Sequence, residues 1–201
     1  MSEEDRKQRM REIRDAIVGL TESPLYGYRV SEKNLPVIGE GDHYAKIMFV
    51  GEAPGKNEAE TGRPFCGAAG KILTEALEKV GIKREEVYIT NVVKDRPPDN
   101  RDPLPEEIEC YSPFLDRQID IIQPRIIATL GRFSMDYSMR KFGRSTDIST
   151  ISKMHGQEFE VEAPFGSLTI IPMFHPAATI YNRTTREDFF KDFELLKKYL
   201  V

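Results

Sequence analysis

A short apolar run that ends in a loop rich in glycine and proline constrains the fold of this chain more than any other feature. Residues 47–50 are all apolar, and Gly51-Glu52-Ala53-Pro54-Gly55 follows them directly. A strand that is apolar on both faces is typical of a parallel sheet covered by helices on both sides. In open α/β sheets, ligands bind beyond the carboxyl ends of the strands. The sequence therefore predicts an α/β fold with Glu52 at the ligand-binding edge of its sheet.

A second glycine-rich turn, residues 62–67, leads into a predicted helix over residues 68–80. The first backbone N–H groups of a helix have no partner within the helix and attract anions. We expect the amide of Gly67 to face an anion such as a phosphate. An ordinary connection between a strand and a helix is the alternative interpretation.

Strands and helices alternate along the rest of the chain, which favours a mainly parallel sheet. Apolar and β-branched runs predict further strands over residues 87–93, 125–131 and 168–173, and Ala163-Pro164-Phe165-Gly166 is typical of a hairpin turn before the last. Apolar spacing predicts helices over residues 4–20, 105–122 and 185–200, whereas residues 143–156 are predicted to form a mobile polar loop. We expect one three-layer α/β/α domain over residues 1–201, with a central, mainly parallel sheet of about four strands and an N-terminal helix within residues 1–20 packed on it.

Composition and charge narrow the class of protein. Hydrophobic residues make up 39% and charged residues 31% of the 201-residue chain, and no apolar run approaches the length of a membrane span. The charged N-terminus lacks the apolar core of a signal peptide, so we expect a cytoplasmic protein. The net charge of −4 weighs against binding of nucleic acid, although the segment from Arg125 to His155 contains six basic residues and only two acidic ones.

Polar or small residues stand at the end of four predicted strands: Glu52, Asn91, Gly131 and His175. If the strands are parallel, these ends converge on one crevice. A carboxylate, an amide and an imidazole then supply a general base, a planar hydrogen-bond reader and a stabiliser of charge. Taken singly, Asn91 is also explained as a turn cap and His175 as a structural histidine before proline.

Six motifs in this order carry a family resemblance: GEAPG (51–55), G-R-P-F-x-G (62–67), T-N-V-V-K (90–94), R-P-P-x-N-R (96–101), L-G-R (130–132) and H-P-A (175–177). The set resembles the uracil-DNA glycosylase superfamily, specifically the family 4 enzymes of thermophilic archaea and bacteria, over roughly residues 13–200. The resemblance implies a monofunctional glycosylase of base excision repair. Such an enzyme flips uracil out of single- or double-stranded DNA and hydrolyses its N-glycosidic bond, leaving an abasic site.

The resemblance also implies a role for each matching residue. Glu52 matches the acid that positions or activates the attacking water, and His175 matches the histidine that hydrogen-bonds the uracil carbonyl. Phe65 matches the aromatic that stacks on the base, Asn91 the amide that reads its edge, and Glu58 a residue that crowds the C5 position and helps to exclude thymine. Gly51 and Ala53, which flank Glu52, are expected to contact the base as well.

A further group of residues is expected to contact DNA. Ile180 or Tyr181 is the predicted wedge in the vacated base stack, and Arg183 is expected near a phosphate. The remaining predicted DNA contacts are Gly67, Arg96, Pro97, Arg101 and Arg132.

One departure from the family pattern concerns a cofactor. Family 4 enzymes typically hold a [4Fe–4S] cluster through four cysteines, and the matching positions here are Leu20, Ser23, Asp95 and Cys110. Because three of the four thiolates are absent, we expect no cluster and no metal site. Hydrophobic contact by Leu20 and a polar contact between Ser23 and Asp95 are expected to tie these segments together instead.

Two alternatives to uracil excision remain at this stage. The same fold can act on another deaminated base, such as hypoxanthine or xanthine, or it can bind uracil-containing DNA without turnover. His155, in the predicted polar loop, is expected to face solvent or DNA.

Overall fold

The computed structural model describes residues 2–199 and is organised on a six-stranded sheet of order β1-β3-β2-β4-β6-β5. The strands are β1 (Glu40–Gly41), β2 (Ile47–Gly51), β3 (Tyr88–Asn91), β4 (Ile126–Leu130), β5 (Phe159–Ala163) and β6 (Gly166–Met173). The four inner strands are parallel, and β1 and β5 pair antiparallel at the two edges. The mainly parallel α/β sheet is as predicted.

The predicted number of about four strands is too low, because the two edge strands add to the four parallel ones. β1 has only two residues and therefore no periodicity that a sequence pattern can reveal. β5 is half-buried and forms the predicted hairpin with β6, with Ala163 opposite Gly166 across a two-residue turn.

Residues 2–199 form eight α-helices. They are α1 (Glu3–Val18), α2 (Tyr26–Ser31), α3 (Lys56–Thr61), α4 (Ala68–Lys79), α5 (Pro105–Ile122), α6 (Arg132–Lys141), α7 (Ile151–Met154) and α8 (Arg183–Glu194). Alternate residues of each inner strand point to opposite faces. Met48 of β2 therefore joins the core under α1, α5 and α6, whereas Phe49 joins the core under α4 and α8. These two cores produce the predicted three layers.

The N-terminal helix packs on the sheet through the helix that follows the proline-rich loop. Met10, Ile13 and Ile17 of α1 share a buried cluster with Tyr111 and Leu115 of α5. Both helices begin within two residues of their predicted positions, because apolar spacing and the proline at the first turn of α5 are local signals.

The prediction of a mobile polar loop over residues 143–156 is wrong in part. The segment contains a 3₁₀ turn, Ser145–Asp147, and the helix α7. Met154 is buried, and Ile148 and Ile151 pack against the same core. Ile148, Ile151 and Met154 recur at every third position. This spacing is typical of a helical turn, so the sequence contained the signal that the prediction of a loop overlooked.

The closing helix begins at Arg183, two residues before its predicted start, because the side chain of Asn182 accepts a hydrogen bond from the backbone N–H of Thr185. A 3₁₀ turn, Leu195–Tyr199, continues it, and the predicted end at Leu200 lies outside the described residues. Over residues 2–199, no helix has both the length and the apolar character needed to cross a membrane.

Candidate active site

The carboxyl ends of β2 and β3 meet at one point of the sheet edge, because Gly51 lies opposite Asn91 in the parallel register. A Cβ atom on Gly51 would lie 2.3 Å from the Asn91 side-chain oxygen and 2.5 Å from the Phe65 ring. Such distances are well inside van der Waals contact, so only glycine fits at the end of β2. The missing side chain lets the amide and the aromatic ring approach each other over the backbone.

A cleft of about 310 Å³ opens above this point. Eight residues singled out in the sequence line it: Glu52, Ala53, Glu58, Phe65, Asn91, Pro97, Arg101 and His175. Five others that sequence reasoning did not single out also line it: Pro54, Gly55, Ala69, Asn100 and Ala177. The residues predicted to read and release a base therefore share one cavity.

Glu52 provides a carboxylate without a partner. It directly follows the last residue of β2 and is half-buried, and its side chain has no hydrogen bond or ion pair with any residue between 2 and 199. Burial raises the pKa of this carboxyl to about 7, with a smaller contribution from the negative charge of Asp102. Arg132 acts in the opposite direction. A carboxylate of this kind is suited to accept a proton near neutral pH.

Asn91 provides an amide that is almost fully buried, with only 1% of the residue exposed. Its side-chain oxygen has no hydrogen-bond partner among the described residues. A buried polar atom without a partner costs free energy, which a ligand with a matching donor can recover. The geometry therefore favours a planar ligand that brings an N–H group to this oxygen.

His175 follows β6 and is held as a neutral imidazole. Its Nδ1 atom accepts a hydrogen bond of 3.2 Å from the backbone N–H of Ala177, so the ring proton lies on Nε2. Burial lowers the pKa of the ring to about 4. At neutral pH His175 is therefore an uncharged donor whose charge does not change. A Cβ atom on Gly131 would lie 3.2 Å from the Cβ of His175, which explains the small residue at the end of β4.

Phe65 forms a buried aromatic wall beside the histidine, with 5.7 Å between the two ring centroids. Its backbone has a positive φ of 47°, which is unfavourable for a residue with a side chain. A Cβ atom on Gly70 would lie 1.7 Å from the Phe65 carbonyl oxygen, so α4 approaches this strained residue as only a glycine allows.

Glu58 holds the strained loop from the other side. Its Oε1 atom accepts hydrogen bonds of 3.0 Å from the backbone N–H groups of both Cys66 and Gly67. The amide of Gly67, expected to face a phosphate, thus already donates to a carboxylate of the protein. Glu58 also lines the cleft, and its action on the C5 position stays a prediction.

Each of the predicted DNA-contacting arginines has a partner within the chain, and Arg101 also lines the cleft. Arg101 pairs with the buried Glu107 at 2.6 Å, and Arg132 pairs with Asp102. The other two pairs are Arg96 with Asn100 at 2.7 Å and Arg183 with Glu187 at 2.9 Å. All four guanidinium groups keep donors for further contacts, since each has five.

The predicted wedge residues follow the 3₁₀ turn Pro176–Thr179, immediately after His175. Ile180 is 39% exposed and Tyr181 is 97% exposed. An almost fully exposed aromatic side chain beside the cleft is available to contact a partner, and its insertion into DNA stays a prediction. Pro97 is buried and lines the cleft.

The expectation that His155 faces solvent or DNA is wrong. The ring is half-buried, its Nδ1 atom lies 2.9 Å from a carboxylate oxygen of Asp192, and it packs 4.4 Å from the ring of Phe174. His155 therefore joins α8 to the end of β6 instead of presenting its ring outward.

Of the four positions that match cluster ligands, Ser23, Asp95 and Cys110 lie near one another, but they do not offer the ligands of a cluster. Asp95 accepts hydrogen bonds from Tyr111 at 2.5 Å and from Arg29 at 3.1 Å. Ser23 reaches Asp95 only through Tyr111, whose hydroxyl lies 2.6 Å from that of Ser23, so the expected direct contact is replaced by a relay. Leu20 packs against the core. One thiol and a carboxylate already bound to a guanidinium do not fit a group that requires four thiolates.

Arg29 and Tyr111 are the residues that sequence reasoning missed in this region. Besides Asp95, Arg29 donates to the backbone carbonyls of Ile17 at 3.0 Å and of Val18 at 2.8 Å. It thereby satisfies the last carbonyls of α1 and ties this helix to the segment after β3. No local pattern identifies a partner 66 positions away.

The hydrogen bonds that Glu58 accepts from the backbone N–H groups of Cys66 and Gly67 lead to a prediction about stability. Glu58→Ala should lower the free energy of unfolding by about 1–3 kcal/mol, because two partly buried N–H donors lose a charged acceptor. Glu58→Gln should lose less, since its amide oxygen can still accept both bonds. Chemical denaturation of both variants is the measurement.

The matched control is Glu60→Ala, on the same short helix. The Glu60 carboxylate makes a single long ion pair, 3.9 Å, with the exposed Lys56. Its effect should stay within about 0.5 kcal/mol, as for most surface ion pairs. Equal losses for Glu58→Ala and Glu60→Ala would contradict the role assigned to Glu58.

Comparison with known proteins agrees with the geometry of the cleft. The sequence model of the Uracil DNA glycosylase superfamily matches residues 38–198. The chain is 43% identical to a type-4 uracil-DNA glycosylase of Sulfurisphaera tokodaii, over 96% of this chain and 85% of that protein. It is 47% identical to one of Archaeoglobus fulgidus over 79% of this chain and 78% of that protein, and 39% identical to one of Thermotoga maritima over 97% and 96%. The chain therefore belongs to the uracil-DNA glycosylase superfamily.

Proposed function

We propose that the cleft excises uracil from DNA by hydrolysing its N-glycosidic bond. The observation that carries this proposal is the buried, unpartnered side-chain oxygen of Asn91, which shares one cleft with a carboxylate without a partner and a neutral histidine. The relatives at 39–47% identity are named type-4 uracil-DNA glycosylases, which supports the same activity here.

Recognition of the base follows from the donors and acceptors of uracil. The Asn91 oxygen accepts from the uracil N3–H group, and its NH₂ group donates to the neighbouring carbonyl. Cytosine presents an acceptor and a donor in the reversed order. The Asn91 oxygen would then face an acceptor and its NH₂ group a donor. Sites that hydrogen-bond their substrate reject a mismatched analogue strongly, because buried polar groups are then unpaired. Phe65 supplies a face on which the flipped base stacks.

Hydrolysis needs negative charge beside the sugar and a donor beside the departing base. Glu52 orients a water molecule toward the anomeric carbon of deoxyribose and accepts its proton. The carbon–nitrogen bond breaks, and its electron pair leaves with the base. The Nε2–H group of His175 donates to a base carbonyl as negative charge develops there. Each contact is stronger in the transition state than in the ground state, which is the condition for a faster chemical step.

Uracil-containing DNA is the partner that this activity requires. Arg101, which lines the cleft, and the exposed side chains of Ile180 and Tyr181 belong to the surface that would contact the strand. We propose that the protein acts as a cytoplasmic monomer and accepts the base from single- or double-stranded DNA.

An excision assay tests the proposed chemistry. On a uracil-containing oligonucleotide, Glu52→Gln should lower the single-turnover rate by about 10²–10⁴-fold, because the general base is removed. His175→Ala should lower it by roughly 10²–10³-fold, as for loss of one donor to a developing anion. His43→Ala, beside the ring of Tyr88 and away from the cleft, is the matched histidine control and should keep its rate.

Absence of an abasic product with folded wild-type protein would overturn uracil excision. Oligonucleotides that contain hypoxanthine or xanthine, and a binding measurement with uracil-containing DNA, would then identify the alternative substrate or a binding function.

The pH dependence of the rate should follow the Glu52 carboxyl. Since its pKa is raised to about 7 and only the carboxylate accepts a proton, the rate should fall as the pH drops below about 7. His175, with a pKa lowered to about 4, stays neutral over this range and should not contribute. Asp102→Asn should move the acid limb to lower pH, because it removes a negative charge that raises the Glu52 pKa. An unchanged limb in this variant would argue against Glu52 as the titrating group.

We also propose that the protein holds no iron–sulfur cluster and that Arg29 and Asp95 act in its place. Protein purified without oxygen should contain no iron or acid-labile sulfide. The triple variant Leu20→Cys, Ser23→Cys and Asp95→Cys, which together with Cys110 provides four thiols, is the positive control for loading. Arg29→Met should cost about 3–5 kcal/mol, because it leaves the buried Asp95 carboxylate without its cation. Stoichiometric iron in the wild type would refute the proposal.

A further inference from the structure

Lys94 is a fully buried lysine that the proposed chemistry does not use. Its side chain lies at 0% exposure, three residues beyond Asn91. The Nζ atom is 2.7 Å from the Thr90 hydroxyl oxygen, 2.7 Å from the Asn91 carbonyl oxygen and 2.6 Å from the Gln118 side-chain oxygen. No carboxylate between residues 2 and 199 pairs with it. A buried cation without an anion is costly and therefore requires an explanation.

The surroundings of Lys94 dictate which groups accept. Thr90 donates its own proton to the Ile38 carbonyl at 2.7 Å, which is closer than its 3.4 Å approach to Gln118. The Gln118 NH₂ group donates to the same carbonyl at 2.8 Å and to the Tyr88 hydroxyl at 3.1 Å, so the Gln118 oxygen faces Lys94. The Asn91 carbonyl can only accept. All three atoms around Nζ are thus acceptors.

Three acceptors require three N–H donors, and only the ammonium form of lysine has three. Burial lowers the pKa of this group well below its usual value. The acceptors oppose that effect, since a neutral amine would turn its lone pair toward one of the three oxygens. The contacts therefore favour a positive charge directly behind the residue that is expected to read the base.

We propose that Lys94 is a positioning residue whose ammonium group fixes the Asn91 backbone and favours departure of the base as an anion. The inference rests on uracil excision as the reaction of the cleft. The ammonium holds the Asn91 carbonyl and so fixes the end of β3, from which the amide side chain extends. Its charge also produces a positive potential at the base, and preorganised charge acts strongly in a site that excludes water.

Replacement by a neutral side chain of similar length tests this role. Lys94→Met should lower the single-turnover rate on uracil by roughly ten- to hundredfold, as for removal of a preorganised positive group. The same variant should lose less of its rate on DNA that contains 5-fluorouracil. The 5-fluorouracil anion is less basic than the uracil anion, so its charge needs less stabilisation as it departs. An unchanged rate on uracil, or an equal loss on both bases, would overturn the proposal.

Tyr88→Phe is the matched control, because it removes a hydroxyl from the same buried network without touching Lys94. Its rates on both bases should remain near those of the wild type. A selective effect in Tyr88→Phe of the same size as in Lys94→Met would attribute the loss to the network as a whole and contradict a specific role for the ammonium.

The charge itself can be measured without any activity. In protein labelled with ¹³C and ¹⁵N at lysine, the signal missing from Lys94→Met assigns the side chain, and its Nζ shift at neutral pH should be that of an ammonium. The shift of a neutral amine would overturn the proposal even if Lys94→Met proved too unstable to assay. Wild-type protein that excises neither base would instead overturn the proposed function, and with it the role in base departure.

Discussion

The parallel pairing of β2 with β3, with Gly51 opposite Asn91, is the constraint on which the rest of the site depends. Because Gly51 has no side chain, the Asn91 amide and the Phe65 ring can lie over the same backbone. The backbone N–H groups of Val92 and Val93 then donate to the carbonyls of Gly51 and Glu52 at 3.0 Å each. The ends of the two strands are thereby joined, so a carboxylate and an amide face one cleft without either being placed on a flexible loop.

Buried polar groups behind the cleft hold this edge of the sheet in place. Lys94 connects β3 with α5 through Gln118, and the next residue, Asp95, connects the same segment with Arg29. Each group has one partner in a distant part of the chain, although the second carboxylate oxygen of Asp95 has no hydrogen-bond partner among residues 2–199. Networks of this kind rigidify a structure when all members are paired, and they destabilise it when one partner is lost. The segment from Asn91 to Asp95 therefore links the residue proposed to read the base to the packing of the N-terminal helix.

The sequence predicted those parts of the structure that depend on local patterns. The apolar run before Glu52, the proline at the start of α5 and the hairpin turn at residues 163–166 each act over a few residues, and each prediction was confirmed. The convergence of Glu52, Asn91 and His175 followed from one rule of parallel sheets, and the cleft contains all three. The two-residue strand β1, the partner of Asp95 and the environment of His155 were missed, because tertiary contacts decide them.

The ion pairs of the protein differ in burial, and this difference determines how ionic strength acts on the molecule. The side chains of Arg29 and Asp95 are 7% and 1% exposed, whereas those of Arg132 and Asp102, near the mouth of the cleft, are 62% and 64% exposed. Mobile ions screen exposed charges far more than buried ones. Added salt therefore screens the exposed charges of Arg132 and Asp102, which act on Glu52, while the buried ion pair that ties α1 to the segment after β3 is affected much less. The scaffold and the proposed surface for DNA thus respond to salt as separate parts of one chain.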